Sequence, residues 1–175
     1  MNELRFPIGP FELPALVSAS EKKTFTETIS TFPERIATLT QGLDEATLGN
    51  TYRPGGWTIR QLVHHCADSH MNAYIRFKLT LTEDTPTIKP YEEAKWAEFD
   101  DYLLMPVKSS LAIIKGVHAR WERLIESMSD EDFQSSYVHP EHGLHFRLDQ
   151  ALANYNWHCK HHLAHIELAL YQDTT

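Results

Sequence analysis

Cysteine is nearly missing from this sequence: Cys66 and Cys159 are the only two in 175 residues. A disulfide framework is therefore excluded, and stability must come from an apolar core, which a chain of this length can supply. Basic charge is also short. The 16 Lys and Arg residues stand against 24 Asp and Glu, a formal charge of −8, so the chain lacks the basic face a nucleic-acid binder needs to displace counterions from phosphates. No run approaches the ~18 apolar residues of a membrane span, and the opening MNELRFPIGPFELP has neither a basic n-region nor an apolar h-region. The expectation is a cytoplasmic protein with no membrane and no nucleic-acid partner. Glycine is sparse, at 7 residues, and the 9 prolines are scattered as punctuation; with no repeat or linker, residues 1–175 read as a single domain.

Strand-like alternation is scarce as well, and what remains is helical periodicity. From Ser20 to Leu43, Phe25, Ile29, Phe32, Ile36, Leu39 and Leu43 recur at spacings of three and four, with Pro33 expected to kink or restart the helix. Thr58 is the expected N-cap of a second helix that carries Ile59, Leu62, Val63, Cys66, Ala73, Phe77 and Leu81 on one side. A third runs from about Val107 to Met128, and a fourth from about Asp149 to Tyr171. The expectation is an all-α, antiparallel four-helix bundle with two long connecting loops, 84–104 and 129–147, either of which could cover one end.

Histidine is the residue in excess. Of 11, three fall on the second helix (His64, His65, His70) and four on the last (His158, His161, His162, His165). At about 100° per residue, with His158 at zero, His162 lies near 40°, His165 near 340° and His161 near 300°, while the apolar residues centre near 80°. His158 and His162 thus face the core best, and His161 and His165 are expected as solvated rim residues. Two imidazoles at i and i+4 can ligate one metal ion, leaving a third ligand to come from another helix. The second helix is the obvious donor, but the wheel does not choose: neither His64 nor His65 points at the apolar centre, and His70 points closer to it. Ser69, Asn72 and Arg76 form a polar stripe beside His65, either a solvated face or, through Asn72 and Arg76, a contact to an anionic or amide-bearing substrate.

Other chemistries lack their residues. Positions 159–161 are Cys-Lys-His, so the glutamate of H-E-x-x-H is missing, and no Glu is followed three residues later by His, as a di-iron carboxylate bundle requires. There is no nucleophile elbow, P-loop or dinucleotide fingerprint, and Asp68-Ser69-His70 are consecutive on a helix and cannot form a relay. Cys66 and Cys159 project to the apolar side, as inert core thiols do.

The segments GGWTIRQLVHHCADSHMNAYIRFKLTLTEDTPTIKPYEEAKW (Gly55 to Trp96) and NWHCKHHLAHIELA (Asn156 to Ala169), with the opening RFPIGPF, resemble the YfiT branch of the DinB superfamily. The specific features are a tryptophan eight residues before a histidine and the terminal H-x-x-x-H. The resemblance implies a four-helix bundle, a homodimer, and one divalent ion held by three histidines, carried onto His65, His158 and His162. It defines no catalytic residue beyond the metal. Members of the branch have been described as metal-dependent hydrolases, and relatives as transferases that conjugate the low-molecular-weight thiol bacillithiol to electrophiles.

The leading expectation is a metal-dependent S-transferase in which one ion, Zn²⁺ or Ni²⁺ given all-imidazole ligation, lowers the pKa of the incoming thiol, with Asn72 and Arg76 orienting its acidic groups. The alternatives are a hydrolase acting on a small substrate with the same ion and a non-catalytic metal- or ligand-binding bundle, with His161 or a loop histidine such as His142 completing the coordination. The sequence does not separate them.

Overall fold

The computed structural model describes residues 2–141 and 143–171; His142 is outside them. After a short helix α1 (Asn2–Arg5), the chain forms α2 (Ala19–Thr40), the turn α3 (Glu45–Leu48), α4 (Ile59–Thr82), the short α5 (Glu93–Trp96) and α6 (Asp100–Leu104), α7 (Lys108–Glu126), α8 (Asp130–Gln134), a hairpin β1 (Ser136–His139) and β2 (Leu144–Arg147), and α9 (Leu148–Tyr171). Four of these are long: α2, α4, α7 and α9. Ser18 and Thr58 each begin a helix with a capping box, closed by Glu21 and Gln61. Their side-chain oxygens take amides that the first helical turn leaves unpaired.

Pro33 neither breaks α2 nor restarts it. Proline has no N–H, so the carbonyl four residues earlier, that of Ile29, loses its helical partner. The His118 ring takes that vacancy, with Nδ1 at 2.5 Å from the Ile29 oxygen.

The expected four-helix bundle is present, with a connectivity that plain alternation does not give. α2 and α4 each pack on both α7 and α9, so consecutive helices α2 and α4 stand diagonally. His64 meets Ser110, His70 meets His118 and Phe77 meets Trp121, so α4 and α7 run in the same direction. His65 meets His162 while His70 meets His158, so α4 and α9 are antiparallel. Because α4 and α7 are parallel neighbours, the chain between them must travel back the full length of a helix. It does so along α4: Lys89 accepts from Arg76, Ala97 from Gln61, and Met105 from Arg60. The connection over 84–104 therefore lies along the bundle side rather than over an end. The second connection holds the hairpin, paired antiparallel from Ser136–Arg147 to His139–Leu144. A long second connection was expected; its strands are too short for their alternation to have stood out.

The core runs through Phe32, Ile36, Leu62, Phe77, Trp121, Leu148, Leu152 and Ile166, all essentially without solvent contact. Cys66 and Cys159 are buried among them, and burial pushes both thiols far above the usual range. Among the described residues, no helix is long and apolar enough to cross a membrane.

Candidate metal centre

Because α4 and α9 are antiparallel, the first half of α4 meets the middle and second half of α9, and these stretches carry the histidines of their helices. His65, His158 and His162 each offer a ring nitrogen, and the three atoms lie within 4.8 Å of one another. His65 and His162 are buried and His158 half-buried. The Nε2 atoms of His65 and His158 face each other at 3.2 Å. Two imidazoles bound to one ion at about 2.0–2.1 Å in tetrahedral geometry hold their nitrogens roughly 3.3 Å apart, so this spacing suits a shared cation. Burial, followed by the charge of neighbouring imidazoles, depresses all three: His65 to about 4, and His158 and His162 well below the usual histidine range. Near pH 7 they are neutral, the form in which imidazole binds metal. The residues present fit a divalent ion.

The local sequence explains why these rings converge. Trp57 precedes the cap of α4 by one residue and lays its indole on His65, ring centres 4.7 Å apart. Gly56 lets that segment close down, since a side-chain carbon there would stand 2.9 Å from Arg53 and 3.0 Å from the Tyr52 ring. Tyr52 in turn stacks on His165 at 3.8 Å. A cavity of about 470 Å³ opens over the three histidines, walled by Phe6, Trp57 and Trp157 and carrying Arg5, Arg53 and Glu93. Glu93 comes from α5; it is exposed overall, and partial desolvation of its carboxyl at the cavity wall, reinforced by Glu141, raises it above the usual range.

The remaining histidines divide into two groups. His161 and His165 are buried, not solvated as the helix wheel suggests. The wheel shows one helix only; the N-terminal segment and the loop before α4 cover that edge, placing His161 between Phe6 and Trp157 and His165 against Tyr52. His165 Nε2 lies 3.2 Å from the Arg5 carbonyl and its Nδ1 lies 3.4 Å from His162 Nδ1. His64 turns away, to the Ser110 hydroxyl at 2.7 Å and the Met105 carbonyl at 3.1 Å. His70, the α4 histidine the wheel sets closest to the core, backs His158 instead of joining the three: its Nε2 is 3.1 Å from His158 Nδ1, and its Nδ1 is 2.7 Å from His118 Nε2.

Asn72 and Arg76 are not among the described residues that wall this cavity. The Asn72 amide donates to the Asp68 carbonyl at 2.9 Å and the Arg76 guanidinium to the Lys89 carbonyl at 3.2 Å. Sequence reasoning missed His118, Glu93, Arg5 and Arg53. A proline inside a helix, facing a helix with one buried histidine, was the only signal for His118; the other three sit on segments without periodicity.

A family model of the DinB superfamily matches residues 28–166. A protein of Halalkalibacterium halodurans, provisionally named a metal-dependent hydrolase, is 44% identical over 166 residues, 95% of this chain and 96% of its own. One from Bacillus cereus with the same provisional name is 46% identical, covering 95% of each chain. Among solved structures, YfiT from Bacillus subtilis, described as a probable metal-dependent hydrolase with an unusual four-helix bundle topology, superposes with a TM-score of 0.94 at 39% identity over 98% of both chains.

Proposed function

The chain belongs to the DinB superfamily, and from that premise we propose that it is a metal-dependent hydrolase of a small-molecule substrate, holding one divalent ion, Zn²⁺ or Ni²⁺, on His65, His158 and His162. The observation that carries this reading is the convergence of three neutral imidazole nitrogens, within 4.8 Å, on a cavity with room for a substrate. An ion there, held by three protein ligands, supplies Lewis acidity and makes a water or a substrate thiol a nucleophile at neutral pH.

The chain's own residues do the rest. Trp57, Trp157 and Phe6 wall the site with aromatic surface beside the imidazoles. Glu93, its carboxyl raised by partial desolvation at the cavity wall, is the cavity's proton acceptor and donor. Arg5 and Arg53 present cations to an anionic group of the substrate. The test is a panel of chromogenic esters, amides and phosphoesters offered to Zn²⁺-loaded and Ni²⁺-loaded protein. Turnover should vanish with His158→Ala and fall 10²–10⁴-fold with Glu93→Gln. Turnover that persists after chelation of the ion would overturn the reading.

The arginine pair also favours a second reading, transfer of an acidic low-molecular-weight thiol such as bacillithiol to an electrophile with the same three ligands. Product formation that requires added thiol would establish transfer in place of hydrolysis.

A further inference from the structure

An imidazole carries one proton at neutral pH, so whatever fixes that proton on one nitrogen fixes the lone pair on the other. A chain of such choices runs from α2 to α9. It starts at the Ile29 carbonyl, freed by Pro33, which can only accept; His118 Nδ1 must therefore donate to it. His118 Nε2 is then a lone pair and accepts from His70 Nδ1–H at 2.7 Å. His70 Nε2 becomes a lone pair in turn and accepts from His158 Nδ1–H at 3.1 Å. The last lone pair is His158 Nε2, the atom that faces His65 at 3.2 Å.

A shorter chain ends at the neighbouring ligand. The carbonyl of Arg5, at the end of α1, accepts from His165 Nε2–H at 3.2 Å. His165 Nδ1 then accepts from His162 Nδ1–H at 3.4 Å, which leaves Nε2 of His162 as its lone pair. His65 has no such backing: its buried Nδ1 lacks a hydrogen-bond partner.

Packing does not account for these histidines. His70 and His118 are 0% and 1% exposed, against Phe32 and Trp121. A bundle that needed only stability would gain more from apolar side chains there, because buried polar groups repay their desolvation only through bonds.

We propose that His118 and His70 in the long relay, and His165 in the short one, are positioning residues that set the tautomers of His158 and His162 and hold both Nε2 atoms bare for the ion. This rests on the three-histidine centre proposed above. His70 and His118 are not among the described residues that line the cavity; His165 is at its wall, behind His162. Outer partners of metal-bound histidines act this way, and losing one weakens binding about 10–100-fold.

The experiment measures Zn²⁺ affinity of the full-length protein by competition with a chromogenic chelator, together with imidazole ¹⁵N shifts of the metal-free protein. Wild type should show His158 protonated on Nδ1. His70→Leu should lose that signature and bind Zn²⁺ 10–100-fold more weakly. His70→Gln, whose amide oxygen can still accept from His158, should stay within about threefold. His118→Leu, which leaves His70 in place but frees its tautomer, should fall between, and it serves if His70→Leu does not fold. Equal affinity in the Gln and Leu variants, or a His158 protonated on Nε2 in wild type, overturns the relay while leaving the metal centre standing. A wild type that binds no Zn²⁺ overturns both.

Discussion

The two ends of the α4–α9 pair use the same two helices and are built on opposite principles. At one end the second half of α4 brings Phe77 against Trp121, whose other faces meet Tyr155 of α9 and the His70 and His118 rings; Leu148 and Leu152 fill the rest. At the other, the first half of α4, the middle and second half of α9 and His118 of α7 bring together imidazoles joined by directed hydrogen bonds. The apolar end is specified by shape and area, so substitutions there change stability in proportion to the volume removed. On the proposed reading the imidazole end is specified by proton placement, so substitutions there should change metal binding before they change whether the protein folds. The second end costs the fold stability, a cost that the proposed metal centre would account for.

The largest expected effect is at the ligands. His158→Ala and His162→Ala should each abolish stoichiometric Zn²⁺, measured as bound metal per chain with Zn²⁺ in excess, while His161→Ala keeps at least most of it and His165→Ala, weaker in affinity, still fills at saturation; equal losses from all four would erase the distinction among the α9 histidines. At the apolar end, Trp121→Ala should cost about 3–5 kcal/mol in denaturant unfolding yet bind one Zn²⁺ when folded. A folded Trp121→Ala protein with no metal would show that the two ends are one unit.

Acid should separate the ends next. His118 is depressed to about 4 by burial, against about 6.5 unfolded, so between those values the unfolded chain binds the extra proton and the folded one does not. Stability of the metal-free protein should therefore be level above about pH 6.5 and fall as the pH drops toward 4. Each histidine of this kind adds at most ~1.4 kcal/mol per pH unit to the slope. His118→Leu should flatten the decline; urea midpoints unchanged between pH 7 and 5 would contradict it. The smallest effect is expected at Arg76→Ala, within about twofold in kcat and KM, because that guanidinium serves a backbone carbonyl and not the cavity.

Much of this was legible in the chain. Periodicities of three and four placed the long helices, and Thr58 announced the start of α4 because its capping chemistry is local. His158 and His162 stood out because two candidate ligands on one face obey a single helix's geometry. The resemblance supplied His65, which a wheel could not select: its ring packs against the tilted Trp57 indole, a contact outside the helix. The parallel course of α4 and α7 was hidden because periodicity carries no direction. The burial of His161 and His165 was hidden for a related reason, since the segments that cover them have no repeating pattern. Pro33 reads in sequence as a flaw in α2, and only the neighbouring helix shows that the carbonyl it frees is used.

The central claim is that the imidazole end of the bundle exists to hold one ion, and metal content per chain by elemental analysis of untagged protein purified without chelator tests it most directly. The account predicts close to one divalent ion per chain, lost on mutation of His158 or His162. Protein that carries none and takes up neither Zn²⁺ nor Ni²⁺ when offered would contradict it.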